Sequence, residues 1–249
     1  MVEPLLKIVQ LQKSFGGVLA TDDLSLVIKR GEIHAVIGPN GAGKTTMISQ
    51  ISGALKSDSG QIIFDGEDIT GFSAPARSLR GISRTFQITS IFEEFTAMEN
   101  VSLAIQAHQG HSFKFWRSAR GETSLIGPAR KALETVGLDI RAQVLARNLS
   151  HGEKRQLEIA MALVSHPKML LLDEPMAGMG AEESKRMVEL LNRLKGNHTI
   201  LLIEHDMDAV FALADQITVL VYGSAIVSGE PEEIRLNKEV RAAYLGEEE

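Results

Sequence analysis

Nine residues, "GPNGAGKTT" at 38–46, carry the side chains and spacing needed to grip phosphate. They fit the pattern G-x-x-x-x-G-K-[ST], follow an apolar stretch at 33–37 and open a helical stretch, which is the setting this pattern requires. Gly41 and Gly43 allow the chain to wrap closely, so that backbone N–H groups point inward, and the helix starting near Lys44 adds its positive end. Lys44 is a mobile point charge for β- and γ-phosphates, and the Thr45 hydroxyl is a candidate Mg²⁺ ligand. Gly38, Asn40, Gly41, Ala42, Gly43, Lys44, Thr45 and Thr46 are thus candidate nucleotide contacts, Thr46 as a further phosphate contact. A second stretch, "MLLLDEP" at 169–175, ends an apolar run in two carboxylates. Asp173 is placed to sit beside Mg²⁺ at the end of a buried strand, and Glu174 to act as general base on an attacking water.

A third stretch, "LSHGE" at 149–153, begins a helix with a capping box, Ser150 with Glu153 three residues later. Gly152 in the first turn has no such explanation, since Gly costs about 1 kcal/mol relative to Ala inside a helix.

These residues need elements to hold them. Short apolar runs read as strands: "IHAVIG" from Ile33, "MLLLD" from Met169, "TILLIE" from Thr199 and "ITVLV" from Ile217. The second and third are apolar throughout, as central strands covered on both faces should be. Between them lie helical patterns, "KTTMISQISGAL", "GEKRQLEIAMALVS" and "AEESKRMVELLNRLK". The alternation predicts an α/β fold with a mainly parallel sheet. The interval from about 89 to 165 shows no convincing strand and reads as a helical subdomain inserted into that core.

Composition sets the outer limits. The 249 residues allow one large domain or two small ones. A formal charge of −6 argues against a polybasic nucleic-acid protein, and with no cysteine, disulfides, zinc-thiolate sites and thiol catalysis are excluded. The N-terminal "MVEPLLKIVQLQKSFGG" makes a poor signal peptide, and the longest apolar runs fall far short of the roughly 18 residues that read as a membrane span. A soluble chain is expected, held at any membrane by other subunits.

In the order phosphate loop, "RTFQ" at 84–87, "LSHGE", "LLLDEP" and "IEHD" at 203–206, the chain resembles the ABC-type ATPases over nearly its whole length. The resemblance implies a P-loop NTPase fold of ABC type, with an N-terminal β subdomain, a nucleotide-binding core over 1–88 and 166–228, a helical subdomain over 89–165 and a C-terminal tail over 229–249. It makes Gln87 the glutamine that senses Mg²⁺ and the attacking water, and His205 the switch histidine on the γ-phosphate. Phe15 takes the place of the aromatic that stacks on adenine, with a packed core ring as the competing reading. Ser150, Gly152 and Glu153 become part of the signature that reaches the ATP of an opposite protomer, although His151 stands where the family usually has a first glycine.

The resemblance also implies ATP and Mg²⁺ as ligands, and a second ATPase subunit, identical or related, because one chain has one phosphate loop and one signature. Transmembrane permease subunits and a solute-binding protein complete the expected system, with the chain peripheral on the cytoplasmic face of the membrane and no nucleic-acid partner. Where many relatives have a Ser-Ala-Leu-Asp loop, this chain reads "MAGMG" at 176–180, with Gly180 in place of Asp. "AGMG", "RTFQ" and "VRAAYLG" resemble the branch that drives import of branched-chain amino acids, in its larger ATPase subunit. Urea or amide uptake and lipopolysaccharide export are alternatives within the class. Chromosome- or ribosome-associated ABC ATPases form a different class, whose coiled-coil insertions or paired cassettes are missing here. The basic, aromatic segment 108–121 is either a permease or lipid contact or a surface loop whose rings pack back on the subdomain.

Overall fold

The computed structural model describes residues 3–85, 91–108 and 123–240. Gln87, most of the 108–121 segment and the C-terminal "RAAYLG" lie outside the described residues.

Two sheets share the molecule. Strands β1 (Pro4–Phe15), β2 (Val18–Lys29), β4 (Ser59–Phe64) and β5 (Glu67–Asp68) form an antiparallel sheet in the order β2-β1-β4-β5. Six strands, β3 (Ile33–Ile37), β6 (Ile82–Arg84), β7 (Met169–Asp173), β8 (Thr199–Ile203), β9 (Gln216–Val221) and β10 (Ser224–Gly229), form the larger sheet in the order β10-β9-β3-β8-β7-β6. All its pairings are parallel except that of β10, an antiparallel edge.

The apolar runs are explained by what covers them. Leu170, Leu172, Ile200 and Leu202 pack into the cluster built on the helical side, whereas Met169, Leu171, Leu201 and Ile203 pack with α1 (Lys44–Ser52) and the antiparallel sheet. Side chains of a strand alternate between faces, so a strand with both faces covered is apolar at every position. Neighbours along the helical side are α3 (Ala97–His108), α4 (Thr123–Val136), α5 (His151–Leu163) and α6 (Ala181–Leu194). Their buried residues, among them Val101, Leu133, Leu157 and Leu190, make one continuous core with β3, β7 and β8. Between 91 and 165 the only strand-like pairing among the described residues is the bridge Thr96–Leu145. Three shorter helices, α2 (Ala74–Leu79), α7 (Met207–Leu213) and α8 (Pro231–Leu236), complete the described elements apart from short 3₁₀ turns and residues 238–240.

Helix α1 stops earlier than the apolar pattern predicts, at Ser52 rather than Leu55. Gly53 takes the left-handed conformation that ends helices, and its N–H donates to the Gln50 carbonyl. The buried Arg77 then satisfies that end, donating to the carbonyls of Gln50 at 2.6 Å and Ile51 at 2.9 Å. A guanidinium at a helix C-terminus also complements the helix dipole, which anchors the helix that starts at the phosphate loop. No helix among the described residues is long and apolar enough to cross a membrane.

Candidate nucleotide site

The site is assembled by strand order. In the sheet β8 lies between β3 and β7, and all three run in the same direction. Their C-terminal ends therefore deliver three separate loops to one edge: the glycine-rich loop after β3, Asp173-Glu174 at the end of β7, and Glu204-His205 after β8. Ile203 is opposite both Val36 and Asp173, which fixes the three ends in register.

In the glycine-rich loop, Gly43 is the residue just before α1, with φ of 100°. A Cβ there would stand 2.1 Å from the Ala20 carbonyl oxygen, so neither the conformation nor the space admits a side chain. Asn40 and Thr45 are exposed, while Lys44 is half-buried and folds back over the loop, its ammonium 2.6 Å from the Gly38 carbonyl and 3.0 Å from that of Pro39. Burial pushes the Lys44 ammonium below its ordinary value, with Glu174 and Asp173 acting in the opposite sense. The register of β3, β8 and β7 brings the loop that carries Lys44 and the two acids to the same sheet edge.

Asp173 is 2% exposed. Burial raises its carboxyl above the usual range, the neighbouring Glu174 adds to the rise, and Arg84 and Lys44 offset part of it. Arg84, at the end of β6, reaches Asp173 Oδ2 at 3.3 Å and the Ser49 hydroxyl at 3.1 Å. A desolvated carboxylate whose charge is incompletely compensated suits a divalent cation, as does the exposed Thr45 hydroxyl. No group of three or more His, Asp or Glu among the described residues could cage a metal alone. This donor set fits Mg²⁺ held by one carboxylate, one hydroxyl and phosphate oxygens.

Glu174 is held in a left-handed conformation, φ 50°, and its N–H donates to the Ile203 carbonyl at 2.9 Å. His205 is 65% exposed, with Nδ1 4.0 Å from Glu174 Oε1, so its ring is open to a ligand in front of the sheet edge. Phe15 is 52% exposed, which removes the packed-core reading of that ring; Lys13 lies 5.6 Å from its centre.

The residues 150–153 sit elsewhere, against α6 and the 176–180 loop. Ser150 caps α5: its hydroxyl accepts the Glu153 N–H at 3.2 Å, and Glu153 Oε2 accepts the Ser150 N–H at 2.8 Å. Both Glu153 oxygens also meet Arg141, at 3.0 and 3.3 Å. Glu153 thus serves the helix start, and Arg141 offsets the charge that the expected ligand contact would have had to tolerate. The His151 ring is turned toward the 176–180 loop, where a Cβ on Gly178 would stand 3.6 Å from it. Gly152 faces Glu183 of α6. The Glu183 carboxylate accepts the Ser150 hydroxyl at 2.8 Å, and that bond first, then the backbone bonds from Gly180 and Gly152, hold it below the usual carboxylate range. An anionic oxygen is therefore already seated on the donors of this helix start. Ser150, Gly152, Glu153, Gln156, Glu183 and Arg186 line a cavity of about 270 Å³ here.

Sequence reasoning did not single out Arg84, Glu183 or Arg141. Each lies far along the chain from the residue it serves or on a face that only packing reveals, so no local pattern marks it.

A parallel sheet with a glycine-rich loop, a buried acid and an exposed histidine at its C-terminal edge defines a nucleotide-binding P-loop ATPase. Residues 21–177 match the family model described as ABC transporter, and residues 226–249 match that of the branched-chain amino acid ATP-binding cassette transporter. The chain is 40% identical to the high-affinity branched-chain amino acid transport ATP-binding protein LivG of Salmonella typhimurium, over 99% of this chain and 100% of that protein. It is 38% identical to the corresponding protein BraF of Pseudomonas aeruginosa, again over 99% and 100%. Among solved structures it is similar to the ADP conformation of the ATP-binding cassette MJ1267 of an ABC transporter, with TM-score 0.87 and 31% identity over 98% of this chain and 99% of that one. A nucleotide-free ATP-binding cassette from an ABC transporter gives TM-score 0.85 and 30% identity over 98% and 100%. This chain belongs to the ABC transporter family, as an ATP-hydrolysing cassette.

Proposed function

We propose that two copies of this cassette, or this chain and a related one, close around ATP and drive uptake of branched-chain amino acids through permease subunits on the cytoplasmic face of the membrane. In this reading residues 1–88 and 166–228 form the nucleotide-binding core, 89–165 the helical subdomain and 229–249 the tail. The observation that carries it is the convergence of the loops bearing Lys44, Asp173, Glu174 and His205 at one sheet edge, while Ser150 and Gly152 face α6. A site split in this way is completed by the signature of a second protomer, and a two-fold pairing of copies completes two sites at once. The Glu183 carboxylate on Ser150 and Gly152 supports the reading that these donors take an anionic oxygen, there a γ-phosphate oxygen.

Lys44 and the loop N–H groups hold the β- and γ-phosphates, and the Phe15 ring stacks on the adenine. Mg²⁺, held by Thr45 and Asp173, would supply charge neutralisation at the phosphate oxygens. Glu174 takes a proton from a water whose oxygen forms the new bond to the γ-phosphorus. The bond to the β–γ bridging oxygen breaks, and its electron pair leaves with ADP. His205 contacts the γ-phosphate and holds it in line. Release of the bridging phosphate parts the two protomers, which is the mechanical output. Branched-chain solutes are favoured over urea, amides or lipopolysaccharide by the LivG and BraF relatives and by the C-terminal match.

Glu174→Gln should keep ATP binding and closure while lowering turnover roughly 10²- to 10⁴-fold, the usual general-base contribution. In the native host, deletion of the gene should abolish high-affinity leucine uptake, and wild type but not Glu174→Gln should restore it. Wild-type ATPase activity in the variant would overturn the catalytic assignment; unchanged leucine uptake after deletion would overturn the cargo.

A further inference from the structure

We propose that Glu204 is a positioning residue for hydrolysis, a buried carboxylate that locks the loop bearing Glu174 to the loop bearing His205. The proposal rests on the reading that those two side chains carry the reaction.

Glu204 is the first residue past β8 and is 1% exposed. A charged group is buried this fully only when hydrogen bonds replace water. Its Oε1 accepts the Met176 N–H at 2.9 Å, and its Oε2 accepts the His205 N–H at 3.0 Å, with the Asp206 N–H at 3.5 Å. One carboxylate thus spans two loops that are 28 residues apart in sequence.

Its effect on Glu174 follows from the backbone. Glu174 sits at φ 50°, a strained conformation that non-glycine residues seldom adopt unless their surroundings hold them there. Its own N–H is tied to Ile203. Pro175, the next residue, has no N–H to offer, so the first tether available beyond Glu174 is the N–H of Met176, and Glu204 takes it. The general base is therefore pinned on both sides, once by the backbone of β8 and once by the side chain that follows it. On the other loop, Glu204 orients the His205 backbone, and Asp206 then caps α7 through the N–H groups of Asp208 and Ala209. Glutamine would present one oxygen and one NH₂ group where the structure needs an acceptor on each side. At least one loop would lose its tether.

The test is Glu204→Gln measured alone and in the Glu174→Gln background. The single variant should lose about tenfold or more in kcat with KM for ATP within about twofold, the pattern of a lost transition-state geometry rather than lost binding. In the Glu174→Gln background the same change should cause a clearly smaller further loss than it does alone, since the part exerted through Glu174 vanishes when that base is gone and only the part exerted through His205 remains. Hydrogen exchange at the Met176 amide should accelerate in the single variant. Wild-type kcat, a raised KM with unchanged kcat, or a loss that multiplies in full with that of Glu174→Gln would each overturn the proposal. A wild-type rate in Glu174→Gln alone would instead overturn the reading beneath it. If Glu204→Gln does not fold, Glu204→Asp, which keeps both acceptors one methylene shorter, is read by the same criteria.

Discussion

Gly152→Ala separates the two explanations of the bare helix start. Gly152 is the second residue of α5, and an added Cβ would stand 2.9 Å from the Glu183 carboxylate carbon and oxygen. That carboxylate ends a flexible side chain and can swing away. The cost to the fold is then the exposed Glu183 contacts with Ser150 and Gly152, on the order of 0–1 kcal/mol. Against it stands the helix preference for Ala over Gly, about 1 kcal/mol. The two nearly cancel, and for a chain of this size about 1 kcal/mol moves Tm by roughly 2–4 °C, so thermal unfolding should shift by no more than about 3 °C in either direction. Function should respond differently. A phosphate oxygen must come to about 2.9 Å from the Gly152 N–H to be bound by it, and the methyl group holds it off. Removing one preorganised donor of this kind costs about 10²- to 10³-fold in kcat. Phosphate release at saturating ATP measures the rate, and differential scanning fluorimetry measures Tm. Size-exclusion chromatography of the Glu174→Gln, Gly152→Ala pair with ATP measures closure, which should weaken. Wild-type turnover in Gly152→Ala would refute the reasoning, and so would a loss of turnover accompanied by a Tm drop of about 10 °C, which would make Gly152 a folding residue.

Two further outcomes follow from the same geometry. Lys44→Ala removes the cation of the phosphate loop and should abolish tight ATP binding by isothermal titration calorimetry; retained affinity would contradict its place on the phosphates. Asp58 is held down from 3.8 to about 2, first by the Lys13 hydrogen bond at 2.6 Å and then by the Ser14 N–H at 2.8 Å. The unfolded chain therefore binds the extra proton first as pH falls, so this contribution is complete above about pH 4 and is lost toward about pH 2. Asp58→Asn should flatten that part of the acid unfolding curve, and an unchanged curve would show that the pair does not persist in solution.

Local patterns carried much of the design. Strands β3, β7, β8 and β9 were legible because each is a short, mostly apolar run flanked by charge or turn residues, and helices α1, α5 and α6 because their apolar residues recur at helical spacing. The phosphate loop was legible because its chemistry is held within nine consecutive residues. The two-residue β5 and three-residue β6 are too short to show a period, and they are strands only because a neighbour pairs with them. The spacing around Phe15 fits either a stacking ring or a core ring, and the fold excludes the core ring by leaving Phe15 at the surface.

By itself, then, the sequence determined which residues could bind a nucleotide triphosphate and which runs must be buried, since both follow from side-chain types at short spacing. Only the tertiary structure decided that β8 separates β3 from β7, and so brings Lys44, Asp173, Glu174 and His205 to one edge. It also decided that Glu204 joins two loops and that Glu183 rests on Gly152. Those are contacts between residues roughly 30 apart in the chain, set by sheet order and helix packing, which no local spacing encodes.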